Sequence, residues 1–220
     1  MTCFYDLHVP DPPPGGRGYP LLVALHGYGG TKESMLALAR RICGDRCAIA
    51  SLQGPHQHTQ RRRGHPGGTR AVRIAFGWGT MHNSAENQTL HHEFIRRVTR
   101  VVSRTHRIDR RKIFLLGFSQ SVGLNYRFAF TYPNTIRGVV GVCGGIPGDW
   151  ETSRKYRRSG TDILHLSGTK DPFYPLERVR TFKAALERRS ASVEHHFLPV
   201  GHIFSRRCLP TIRRWLLSRI

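Results

Sequence analysis

The chain has 220 residues, 39% of them hydrophobic, enough to bury one continuous core, and one domain over residues 1–220 is expected. The longest apolar stretch, residues 138–146, is far shorter than the roughly 20 residues of a membrane span, and MTCFYDLHVP carries neither the basic patch nor the apolar run of a secretory leader, so a soluble, cytoplasmic protein without membrane insertion is expected. The net charge of +21 comes mostly from arginine, and the basic pairs Arg40–Arg41, Arg96–Arg97, Arg110–Arg111, Arg157–Arg158 and Arg213–Arg214 are spread along the chain, which fits a scattered surface charge better than a nucleic-acid-binding arm.

Short apolar or β-branched runs alternate with amphipathic stretches, the pattern of a mostly parallel sheet covered by helices on both faces. Strands are predicted over 3–9 at an edge and over 21–25, where the run ends in His26-Gly27-Tyr28-Gly29-Gly30. Thr31 is an N-cap for a helix to about Ile42, and a strand follows over 47–52. Residues 53–83 read as irregular. A long helix then runs from Ser84 or Ala85 through His106, with Leu90, Phe94, Val98, Val101 and Val102 on its buried face. A strand over 112–116 enters Gly117-Phe118-Ser119-Gln120-Ser121, and a helix follows to about Phe130. The remaining elements are strands over 139–143, 163–166 and 193–198, a helix over 176–189, and a closing helix over 205–220 that Pro210 should kink. The five cysteines are odd in number and irregularly spaced. Cys43 and Cys47 lack a second Cys/His pair at a matching offset, so they read as reduced structural thiols and not as a metal pair.

Three segments carry chemistry. The pentapeptide around Ser119 lies between a buried strand and a helix, where a sharp turn holds a serine hydroxyl out of the sheet. Ser121 stands at the position where small Gly is usual. Asp171 follows the strand over 163–166 and His202 the strand over 193–198, so both project from the same carboxyl edge of the sheet as Ser119. The order Ser119, Asp171, His202 suits nucleophile, orienting carboxylate and general base. Asp149 and Asp162 are the rival acids; Asp162 opens a strand at the wrong end and Asp149 falls one connection too early. The amide of Tyr28, in the Gly-rich turn, and that of Gln120 would stabilise an oxyanion. His26 reads as a brace for its turn and not as a base.

These pieces together resemble the phospholipase/carboxylesterase family of α/β-hydrolases, relatives of acyl-protein thioesterases and dienelactone hydrolases. The matching residues are Leu25 to Gly30, Gln53-Gly54-Pro55, Gly117 to Gln120, Gly168 with Asp171 and Pro175, and Gly201-His202. The resemblance implies an α/β-hydrolase fold and hydrolysis of short- to medium-chain acyl esters without cofactor or metal. A thioesterase or lysophospholipase would use the same residues, and a nucleic-acid-binding protein would explain only the charge. The connection 144–161 is too short for a cap domain, so an open site is expected. The stretch 53–83 is its predicted rim, with Phe76, Trp78 and Met81 as walls of an acyl pocket. Arg61, Arg62, Arg63, Arg70 and Arg73 either attract anionic esters there or fan into solvent. The partner is a small acyl ester, and the protein is expected to be a monomer or homodimer.

Overall fold

The computed structural model describes residues 2–11, 18–61, 72–80 and 82–220, with Arg61 described in its backbone alone. The elements in order are β1 (Tyr5–His8), β2 (Tyr19–Leu25), α1 (Lys32–Cys43), β3 (Ala48–Leu52), β4 (His56–Arg61), β5 (Val72–Gly77), α2 (Ser84–Thr105), β6 (Ile108–Phe118), α3 (Gln120–Thr131), β7 (Gly138–Val142), β8 (Asp162–Gly168), α4 (Leu176–Arg180), α5 (Phe182–Glu187), β9 (Ser192–Leu198) and α6 (Leu209–Leu217). Seven strands form one sheet in the order β1-β3-β2-β6-β7-β8-β9, parallel except for β1. This is the predicted α/β-hydrolase architecture.

The pleat of β2 shows why both faces need cover. Leu21, Val23 and Leu25 pack into one cluster with Phe94, Val98 and Val102 of α2 and Val122 and Tyr126 of α3. Leu22 and Ala24, pointing the other way, join Met35 and Ile42 of α1 and Ile212 and Trp215 of α6. Strands buried on both sides read as unbroken apolar runs, which is why β2, β6 and β8 were legible.

Three elements differ from the sequence reading. The segment read as irregular contains a hairpin, β4 paired with β5 from His56↔Gly77 to Arg61↔Val72. The β4 sequence HQHTQR gives no hydrophobic alternation, and of the β5 residues Val72 and Ile74 are exposed while Ala75 is buried, so a backbone ladder does most of the holding. The helix predicted over 176–189 is broken at Thr181, whose hydroxyl and amide both bond the Arg178 carbonyl and end the first segment. Pro210 falls in the first turn of α6, where its missing N–H leaves no bond broken, and it does not kink the helix. On α2 the buried stripe includes Asn87, His91, His92 and Ile95, while Val101 is exposed. Cys43 and Cys47 are buried thiols on the α1 side of the sheet.

The core contains histidines that burial holds neutral. His165 is pushed down to about 3, chiefly by desolvation, and Tyr126 Oη donates to its Nδ1 at 2.7 Å. His92 and His195 are each pushed down to about 4 by the same cause. A histidine whose folded pKa lies below its unfolded value of about 6.5 binds its proton more readily when unfolded. Stability from these groups is therefore complete above about pH 6.5 and is lost as pH falls from there toward their folded pKa values of about 3–4. The melting temperature should fall between pH 7 and 4, and His165→Gln should flatten that slope. A slope that the substitution leaves unchanged would remove His165 from the account.

Candidate active site

The turn at Ser119 is built by close approach. Ser119 has φ +55 and ψ −114, a conformation L-residues avoid, and its amide donates to the Val142 carbonyl of β7. A Cβ on Gly117 would stand 2.7 Å from Asn125 Nδ2, so only glycine lets β6 and α3 pack at this distance. Ser121, where glycine is usual, is fully buried and useful there. Its Oγ accepts from the Phe118 amide at 3.0 Å and lies 3.0 Å from the Leu25 carbonyl, to which it donates. The hydroxyl thus ties the turn to the end of β2.

Ser119 Oγ lies 2.7 Å from His202 Nε2, and His202 Nδ1 lies 2.8 Å from Asp171 Oδ2. Asp171 is buried, and its other oxygen accepts from the amides of Phe173 (2.9 Å) and Tyr174 (3.2 Å). With three donors on it, the carboxylate keeps one orientation and accepts from Nδ1–H, which leaves Nε2 free to accept from Ser119. The imidazole is flanked by Phe118, Phe173 and Tyr174, at centroid distances of 5.3, 4.8 and 5.9 Å. The rival acids are engaged elsewhere. Asp149 pairs with Arg127, and Asp162 accepts from Arg137, Arg219 and Ser192.

The Gly-rich turn after β2 is braced from below. His26 Nδ1 donates to the Gly27 carbonyl at 2.7 Å, and its Nε2 accepts from Gly54 N at 2.9 Å and Gln53 Nε2 at 2.8 Å. Burial lowers the pKa of this imidazole, keeping it neutral for those roles. Gly29 N donates to Phe76 O and Gly30 N to Gly27 O, whereas the Tyr28 and Gln120 amides have no acceptor among the described residues.

A profile of the phospholipase/carboxylesterase family matches residues 13–219. The chain belongs to that family. Among curated proteins it is 26% identical over 193 residues to NocK of Nocardia uniformis subsp. tsuyamanensis, covering 83% of this chain; it spans about half, 49%, of that relative's length. Similar solved structures include a Bacillus cereus carboxylesterase (TM-score 0.75, 17% identity, 100% of this chain and 96% of that one) and a Dyadobacter fermentans phospholipase/carboxylesterase (0.70, 21%, 98% and 97%). Arabidopsis thaliana SOBER1 also matches, with TM-score 0.69 and 18% identity over 90% of this chain and 99% of that one. At these identities the likeness is one of fold.

In this phospholipase/carboxylesterase-family chain the predicted rim is laid out differently from the expectation. Trp78 is 1% exposed, its Nε1 donating to His26 O at 2.7 Å and its ring against His91, so it packs the loop onto the core, and it lines a neighbouring cavity of about 380 Å³ that shares Gln120, Leu124 and Arg127 with the one at Ser119. Its backbone amide donates to Gln120 Oε1, joining rim and turn. Phe76 is half-buried and its carbonyl holds Gly29; Met81, Arg62, Arg63 and Arg70 lie outside the described residues, as does the Arg61 side chain. Arg73 bonds Gln60 Oε1 and the Gly29 carbonyl. The cavity beside Ser119, about 480 Å³, is walled instead by Leu124, Ile146, Pro147, Phe173 and Tyr174, with Arg127 and Arg178 at its edges. The runs Gly144 to Pro147 and Asp171 to Tyr174 each follow a strand at the same sheet edge, and that position was the available signal.

The second loop is held close by Gly168. A Cβ there would meet the Val200 and Gly201 carbonyls at 2.5 and 2.8 Å, backbone that leads directly into His202. Gly168→Ala should displace His202 by a fraction of an ångström to about one, enough to lower kcat roughly 100-fold. Circular dichroism should show the fold retained, and an unchanged kcat would show that the loop absorbs the methyl group.

Proposed function

We propose that the protein is a serine carboxylesterase acting on short- to medium-chain acyl esters. The observation that carries the reading is the unbroken hydrogen-bonded line Ser119–His202–Asp171 at the carboxyl edge of the sheet. Ser119 Oγ attacks the acyl carbonyl while His202 Nε2 takes its proton. The amides of Tyr28 and Gln120 receive the negative charge that develops on the carbonyl oxygen, and Asp171 stabilises the imidazolium. Collapse expels the alcohol with the His202 proton and leaves an acyl-enzyme. His202 then activates water to release the acid.

The open cavity supports the limit on chain length. Among the described residues, 143–161 contains no helix, and Trp150 anchors this connection to Phe130 and Tyr156, so nothing from it arches over Ser119. Each methylene buried adds about 0.8 kcal/mol, or roughly fourfold in kcat/KM, as long as a wall covers it. On a panel of nitrophenyl esters, efficiency should rise from acetyl to the middle of the series and then level. A continued rise to the dodecanoyl ester, or a complete absence of ester turnover and of fluorophosphonate labelling, would overturn the reading.

The edge of the cavity also favours a carboxylate on the substrate. Arg127 is paired with Asp149, but the Arg178 side chain is exposed and its guanidinium has no hydrogen-bond or ion-pair partner among the described residues. Arg178→Ser should lower kcat/KM for a succinate monoester about threefold to tenfold and leave the butyrate ester of the same alcohol unchanged. Equal changes for the two esters would remove Arg178 from substrate selection.

A further inference from the structure

A second concavity, about 420 Å³, opens at the far end of the sheet. One helical stripe of α2, residues Arg96, Thr99, Arg100 and Ser103, forms one wall at i, i+3, i+4 and i+7 spacing. Arg110 from the start of β6 and Tyr132 at the end of α3 contribute others, and Ile113, Phe128 and Ile136 make an apolar floor. Ile113 lies on β6, which ends at Phe118 next to Ser119, a separation of about 20 Å.

Three features set this concavity apart from the general arginine excess. Among the described residues no acidic side chain lines it. Arg100 and Arg110 have no ion-pair or hydrogen-bond partner among the described residues, and the Arg96 guanidinium rests only on the Tyr132 ring, 5.2 Å from its centroid. Thr99 Oγ1 and Ser103 Oγ are covered and without a hydrogen-bond partner. By contrast, Arg127 beside Ser119 has its carboxylate in Asp149. Three like charges around one hollow repel each other, and an anion between them relieves that repulsion.

We propose that this hollow binds small phosphate monoesters bearing an aromatic or short apolar group. A phosphate monoester carries close to two charges at neutral pH and three strong acceptor oxygens, matching three guanidinium forks with hydroxyl donors beside them. A carboxylate, with one charge and two oxygens, is the weaker match. The organic group lies on Ile113, Phe128 and Ile136. This site is independent of the chemistry at Ser119.

Isothermal titration with phenyl phosphate near physiological salt tests the proposal, with inorganic phosphate, benzoate and phenol as comparison arms. Saturable one-site binding is expected for phenyl phosphate, with weaker binding of the other three. The double change Arg100→Ser with Arg110→Ser, at exposed positions that leave the fold intact, should weaken it at least tenfold. The control Arg154→Ser with Arg158→Ser, equal in charge removed, should leave it within twofold. Arg178→Ser should also leave it unchanged. Non-saturable heat, an equal loss in the control pair, or loss in Arg178→Ser would overturn the site, assigning the binding to diffuse charge in the first two cases and to the Ser119 cavity in the third.

Discussion

Ser119→Ala is expected to lower kcat by about 10⁴- to 10⁶-fold and to abolish fluorophosphonate labelling. The size follows from the setting of this one oxygen. His202 Nε2 sits 2.7 Å away, and the turns that carry Tyr28 and Gln120 follow the paired ends of β2 and β6 at the same edge. Residual turnover should reflect only the polarising amides acting on a water. The substitution removes a half-buried hydroxyl whose sole side-chain partner among the described residues is His202, so the melting temperature should change by a few degrees at most. A mutant that keeps its fold and retains wild-type labelling would place the nucleophile elsewhere.

The second large effect is expected at a residue that never meets the substrate. Asp171→Asn preserves volume and both backbone contacts to the carbonyl oxygen, yet should cost about 10⁴ in kcat. The amide nitrogen then faces His202 Nδ1 and donates, moving the imidazole proton to Nε2. A protonated Nε2 cannot accept from Ser119. KM for a nitrophenyl ester should stay nearly unchanged, because the cavity walls Leu124, Ile146 and Phe173 are untouched. A loss confined to KM, or a variant with activity within tenfold of wild type, would show that Asp171 does not set the tautomer. The amides of Phe173 and Tyr174 make the same residue an organiser of the cavity wall. Asp171→Ala, which removes their acceptor, should therefore raise KM as well, and the difference between the two variants separates the two roles.

Most of the frame was legible because local physics and the final fold agree. Buried strands such as Leu21 to Leu25 and Phe114 to Leu116 are apolar on both faces whatever they pack against. The Thr31 cap is likewise dictated by nearby residues, and the turns at His26 and Ser119 are announced by their local glycines even though distant partners hold them. Segments governed by long-range contacts were not. In the hairpin, β4 is polar throughout and the apolar alternation Val72, Ile74, Phe76 of β5 faces largely away from the core, so backbone pairing and the bridge from Gly30 to Phe76 hold it. Trp78, read as part of the rim and rich in surface to offer a ligand, was drawn inward by the His26 carbonyl and the His91 ring.

The sequence by itself determined the sheet, the order Ser119, Asp171, His202 and the sheet edge from which all three project, since strand ends follow from chain periodicity. Only the tertiary structure decided which side chains meet at that edge. Ile146, Phe173 and Arg178 lie 27, 54 and 59 positions from Ser119 and share one cavity with it because β7 and β8 lie successively beside β6. It likewise decided that Arg96, Arg100 and Arg110 surround one hollow while Arg127 faces a carboxylate. Burial and charge pairing are properties of the space between elements, and a linear pattern specifies the faces of each element but not which face it will meet.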